Sequence, residues 1–342
     1  MFNTLKKSFL GLLIASTALV QVGCNNNDAE PDKLGNWYRD GIPGFGGTAR
    51  TRSVSFLISG IGYVGTGLTN ETIPQTNDFW AYDPATKIWK QKANFPGTAR
   101  YDAVSFVIGS KAYVGTGYDR NTLIEGGYKR DFYSYDPAKN TWAPIADFLG
   151  GTRQNASAFT VGERAYVGLG FNGSNYYQDF YEYIPSSDTW KEIATFTGGK
   201  RRSALAFTVG GKGYVGFGQS NTTNYNSDLY QFDPAANSGL GGWIKMENDD
   251  EDFPARTGST ALIINNKAYV VGGINASDCW EYEPTANAWT EVTAFEGGQR
   301  GAAAGFAVGN IGYFGTGSSS GTGGTDDWWA FDPSAEKNDD DN

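Results

Sequence analysis

The sequence predicts an all-β fold, a six-bladed β-propeller with four strands to a blade. Three observations carry that prediction. A Tyr-led phrase recurs six times, an arginine stands at one fixed distance before each copy, and a Trp-containing strand missing from the last copy reappears at the start of the chain. Repeats with a period of about 50 residues mark arrays in which each unit packs only against its neighbours.

The six phrases are Tyr63 (YVGTG), Tyr113 (YVGTG), Tyr166 (YVGLG), Tyr214 (YVGFG), Tyr269 (YVVGG) and Tyr313 (YFGTG). Arg50, Arg100, Arg153, Arg201, Arg256 and Arg300 each precede their tyrosine by 13 residues. An interval without insertions indicates two strands joined by a tight hairpin, because a one-residue slip would turn every side chain to the wrong face. A variable loop follows. Then Asp78, Asp131, Asp179, Asp228, Asp278 and Asp327 open a third strand of alternating aromatics, as in DFWAYDP and DFYSYDP, closed by proline. Proline suits the turn after a strand and not its centre. Trp89, Trp142, Trp190, Trp243 and Trp289 mark the fourth strand of copies one to five.

The sixth copy runs past Pro333 into an acidic tail without its tryptophan, whereas Asn36-Trp37-Tyr38 stands alone near the start. The N-terminal strand around Trp37 is therefore expected to complete blade six, which closes the ring and covers two sheet edges. Glycine spares Cβ in the YVGxG phrase where backbones approach or φ turns positive.

The chain divides into residues 1–23, a signal peptide; 24–35, a flexible tether; 36–334, the propeller; and 335–342, an acidic tail expected to be disordered. Lys6 and Lys7 precede the apolar run from Phe9 to Val20, which is short for a bilayer span. The run ends at Gln21-Val22-Gly23-Cys24, which resembles a bacterial lipobox and implies lipidation of Cys24. Gln21 departs from that pattern, and ordinary signal-peptidase cleavage is the alternative. The expectation is an exported lipoprotein of the outer membrane or cell surface, held to the membrane only through its lipid; without lipid it is periplasmic or secreted. Cys279 is then the second and last cysteine and has no disulfide partner.

The formal charge is −10, and −12 once Lys6 and Lys7 leave with residues 1–23. A net acidic surface argues against nucleic acid and against anionic membrane surfaces as partners.

The order arginine, hydrophobic strand, Tyr-Val-x-Gly-Gly, aromatic-x-Tyr-Asp-Pro, tryptophan resembles the kelch repeat over residues 36–334. Five copies read Gly-x-Gly, and only blade five keeps the diglycine Gly272-Gly273. Kelch propellers include copper oxidases of the galactose oxidase group, whose copper needs two histidines. This chain has no histidine, which excludes that site, a His-based zinc site and a Ser-His-Asp triad. No cofactor or metal is expected. The run Asp249–Asp252 is read as a solvated acidic loop, with an oxygen-ligated Ca²⁺ as the alternative.

The resemblance implies that the turns from strand d into strand a lie on the ligand-binding face. Arg50, Arg100, Arg153, Arg201, Arg256 and Arg300 then ring the channel mouth, either as a clamp for a carboxylate, sulfate or phosphate or paired with a neighbouring blade's backbone or acid. Their non-consensus neighbours Arg52, Tyr101, Asp102, Asn155 and Arg202 are the sharper candidates. The loops between strands b and c in blades two to four carry Tyr128, Tyr176 and Tyr177 among Asn and Ser, a mixture suited to sugar or protein contact. Cys279 is read as buried filler. The sequence favours a non-catalytic binding module for a protein, peptide or glycan. The alternatives are a metal-free sugar mutarotase of the sialic-acid type, with Asp102 as acid–base, and a scaffold subunit of an envelope complex.

Overall fold

The structure, a computed structural model, describes residues 33–72, 74–122, 124–220, 224–247, 253–319 and 323–341. The leader, Cys24 and the run Asp249–Asp252 lie outside the described residues.

Six four-stranded antiparallel sheets form the blades. In blade one strand a is Val54–Ile58, b Ile61–Gly65, c Phe79–Asp83 and d Ile88–Lys92. Ile58 pairs with Ile61 across a two-residue turn in which Ser59 and Gly60 both have positive φ, the backbone that matches strand twist in a tight hairpin. The innermost strands, Val54–Ile58, Val104–Ile108, Ser157–Val161, Leu205–Val209, Thr260–Ile264 and Ala304–Val308, touch in sequence, and the last touches the first, so the ring closes.

Closure uses the strand expected for it. Asn36–Tyr38 pairs with Trp328–Asp332 as strand d of blade six. The Trp37 indole donates to the Thr293 carbonyl of blade five at 3.0 Å. Trp142, Trp190 and Trp243 make the same bond to Ala93, Ala146 and Ala194 of their preceding blades. Trp37 is thus the sixth tryptophan of the repeat. The acidic tail differs from a free segment: the Asp341 carbonyl accepts from the Arg39 and Asp40 amides, and Asn338 N–H donates to the Asn36 side chain. Tail backbone beside a strand end supplies acceptors that water would otherwise provide.

The repeat's glycines have separate causes. A Cβ on Gly65 would collide with the ring of Phe79, its cross-strand partner, and Gly67 needs φ of +110°. Blade five exchanges the first arrangement for another. There Val271 faces Cys279, so a larger residue on strand b is matched by a smaller one on strand c. Cys279 is fully buried, and burial pushes its thiol far above the ordinary range, which makes it filler and not a nucleophile.

Candidate functional site

The six consensus arginines do not open onto the mouth. They are between 0% and 5% exposed. Each bonds the aspartate that opens strand c of its own blade. Arg50 meets Asp78 at 2.6 and 2.8 Å, Arg153 meets Asp179 at 2.7 and 2.9 Å, and Arg256 reaches Asp278 through one bond of 2.5 Å. The same fork bonds the carbonyl 16 residues on, from Thr66 in blade one to Thr316 in blade six. A phenylalanine lies against each guanidinium, at 4.8 Å for Phe45 on Arg50 and 4.5 Å for Phe253 on Arg256. Planar, bonded through their Nη atoms and stacked, these guanidinium groups are spent on holding the loop that enters strand a against the start of strand c. Burial works to raise the Asp78 and Asp327 carboxyls, but bonds and charge from Arg50 and Arg300 override it and hold both below the usual range.

The mouth is built two residues further along. Arg52, Asp102, Asn155, Ser203, Gly258 and Ala302 occupy equivalent positions in blades one to six, all with φ between +49° and +68°. Their backbones close a ring. Each amide donates to the carbonyl of the preceding blade, at 3.1 Å from Asp102 to Arg52, 3.0 Å from Asn155 to Asp102 and 2.9 Å from Arg52 back to Ala302. The left-handed turn at each position bends the chain onto its neighbour and leaves the six side chains to differ freely.

Those side chains make the ring one-sided. Blades one to three present Arg, Asp and Asn, and blades four to six present Ser, Gly and Ala. A cavity of about 110 Å³ sits here, lined by Arg52, Asp102, Asn155, Arg202, Gln219 and Ile274 among others. The Arg52 guanidinium bonds the Asp102 carboxylate at 3.1 Å, with side chains 44% and 4% exposed respectively. Burial raises the Asp102 carboxyl above its ordinary value, against the opposing pull of Arg52, Asn155 and Arg202. Arg202 bonds the neutral amide oxygen of Gln219 through Nε and Nη2 at 3.0 and 2.8 Å.

An arc of aromatics runs from one arginine to the other. Arg52 lies over Tyr101 at 5.5 Å, and successive ring contacts join Tyr101, Tyr118, Tyr128, Phe171 and Tyr176. Arg202 lies over Phe171 and Tyr176 at 5.4 and 5.6 Å. Tyr128 and Tyr176 thus belong to this arc. Tyr177 does not: its ring stacks on the buried Arg153 at 4.0 Å, and its hydroxyl accepts from Asn172. The structure brings together Arg52, Tyr101, Asp102, Asn155 and Arg202, which the sequence singles out as departures beside the consensus arginines. It adds Gln219, Phe171, Tyr118 and Ile274. The signal for the ring positions is variation at a fixed offset in an otherwise repeating phrase. Gln219 and Ile274 carry the same kind of signal, each five residues after its repeat tyrosine, Tyr214 and Tyr269, as Tyr118 and Phe171 are after Tyr113 and Tyr166. Among the described residues no three Asp, Glu or Cys side chains converge as a metal-holding group.

Comparison with known proteins agrees with this architecture. A sequence model of N-acetylneuraminate epimerase matches residues 147–282. The solved structure of YjhT superimposes with a TM-score of 0.69 at 16% identity, covering 84% of this chain and 95% of that one, a likeness that speaks for the fold. None of the curated proteins matches. The chain is a six-bladed β-propeller of kelch-type repeats, similar to N-acetylneuraminate epimerase across residues 147–282.

Proposed function

We propose that the one-sided mouth binds an acidic sugar of the N-acetylneuraminate class and exchanges its anomers without a metal. The observation that carries this reading is the buried carboxyl of Asp102, set between Arg52 and Asn155 in a cavity that Arg202 also lines. Anomer exchange needs a proton delivered to the ring oxygen as its bond to the anomeric carbon breaks. The anomeric hydroxyl gives up a proton to solvent, and the open-chain carbonyl closes again from its other face. An acid whose pKa is raised toward neutrality serves that first step, and an arginine fork holds the sugar carboxylate. The match to N-acetylneuraminate epimerase supports this choice of sugar.

The test is the rate at which the anomers of N-acetylneuraminate equilibrate, followed by NMR with wild-type protein and Asp102→Asn. Acceleration lost in the variant supports the reading. Rates equal to the uncatalysed one with both proteins reject it. The aromatic arc favours a second reading, a binding module for the same sugar without turnover, for which binding survives Asp102→Asn and no acceleration is seen. Export and lipidation at Cys24 belong to the proposal, and loss of fatty-acid labelling in Cys24→Ala checks them.

A further inference from the structure

Arg52 and Asp102 form an ion pair of unequal members. Nearly half of the Arg52 side chain is in solvent, with its guanidinium on the face of Tyr101, whereas the Asp102 side chain is almost wholly enclosed. The groups facing Asp102 are Arg52 from blade one, Asn155 from blade three and Arg202 from blade four, with Tyr101 beside it in the chain. Blades five and six contribute Gly258 and Ala302 to this ring and no charge. Arg202 is already engaged by Gln219 and two aromatic rings. Among the described residues Arg52 is therefore the one cation bonded directly to Asp102, and it is more exposed than Arg202.

We propose that Arg52 is a ligand-operated latch: the carboxylate of the bound sugar draws the Arg52 guanidinium off Asp102, and the enclosed Asp102 carboxylate then takes a proton from water. The idea rests on the acidic-sugar reading of the mouth and gives its acid a means of being charged only when substrate is present. An enclosed carboxylate that loses its partner neutralises, since an unpaired buried charge is costly. The incoming anion, held within the same cavity, acts in the same direction. In the empty protein the pair with Arg52 favours the ionised form of Asp102. In the complex Arg52 holds the sugar and Asp102 carries the proton that the ring oxygen receives.

The experiment is an NMR pH titration of the Asp102 carboxyl carbon in the mature chain with ¹³C-labelled aspartate, assigned with Asp102→Asn. It is run on free protein, with saturating N-acetylneuraminate and with its methyl ester, in which the carboxylate charge is gone. The latch predicts that the midpoint rises by about one pH unit or more with the acid and stays put with the ester. It also predicts a raised midpoint in free Arg52→Gln, with a smaller further rise on adding the acid. A midpoint unmoved by bound N-acetylneuraminate, or unmoved by Arg52→Gln in the free protein, overturns the latch while leaving the acidic-sugar site standing. Failure of N-acetylneuraminate to bind at all overturns both.

Discussion

Arg100 and Asp131 meet through two parallel bonds, Nη1 to Oδ1 at 2.5 Å and Nη2 to Oδ2 at 2.8 Å, with the arginine side chain wholly buried and the aspartate about one-third exposed. Arg100 also bonds the Thr116 carbonyl and lies over Phe95 at 4.8 Å. Breaking a buried pair from one side strands the other charge, at a cost of about 3 kcal/mol or more. Arg100→Ala is expected to lose about that much, read as a lower urea midpoint, and Arg100→Lys to recover little of it because a point charge cannot fill a planar fork. An Arg100→Ala protein of unchanged stability would contradict the structural role.

Trp37 holds the ring shut. It is fully buried and packs on Phe295, Phe314 and Phe331 with ring centroids 5.0, 5.9 and 4.6 Å away. Trp37→Ala removes this packing and the bond to Thr293, at a cost of roughly 3–5 kcal/mol. Protease cleavage should then concentrate in the strands of blades five and six, which limited proteolysis with mass mapping would show.

The acids of the propeller respond to pH in opposite senses. Asp78 and Asp327 sit below their ordinary values in the folded state, so their stabilisation is present above the ordinary carboxylate range and disappears as pH falls through the folded values. Asp102 sits above its ordinary value, so its ionised form weighs against folding at every pH above that folded value. Asp102→Asn is therefore expected to melt at a higher temperature than wild type at about pH 8 and to converge with it near pH 4. Asparagine also accepts the positive φ at this position. A lower melting temperature at pH 8 would contradict the sign of the Asp102 shift.

The aromatic arc should contribute to ligand affinity through rigid area and not through charge. Tyr176→Ala removes a contact of Phe171 and of Arg202, and a loss of about 0.5–1.5 kcal/mol, roughly two- to thirteenfold in Kd, is expected by calorimetry with N-acetylneuraminate. Tyr177→Ala, beside Arg153, should instead lower stability.

The Val271–Cys279 exchange in blade five admits a double-mutant cycle. Cys279→Phe alone forces a ring against Val271 and should cost about 1–3 kcal/mol. Adding Val271→Gly restores the glycine-opposite-aromatic pairing of Gly65 with Phe79, so the pair should be more stable than the sum of the two single changes.

The sequence by itself determined the number of blades, the strand order within each and the closure through Trp37, because an all-β repeat writes its register into the spacing of its side chains. Arg50 stands 13 residues before Tyr63 just as Arg300 does before Tyr313, and a hairpin leaves no freedom in that interval. It also marked Arg52, Asp102, Asn155 and Arg202 as departures beside a regular feature. Which arginines serve the fold and which face the ligand was decided only by tertiary structure. The guanidinium of Arg50 finds an aspartate 28 residues away that the folded blade brings beneath it, whereas two residues later a left-handed turn lifts the side chain of Arg52 to the rim. Gln219 and Ile274 share one repeat phase, five residues after Tyr214 and Tyr269, but only the folded ring turns that phase into the cavity they line. The positions that repeat build the ring, and those that vary within it build the site, because six equal blades can hold a ring closed but only unequal side chains can hold one asymmetric ligand.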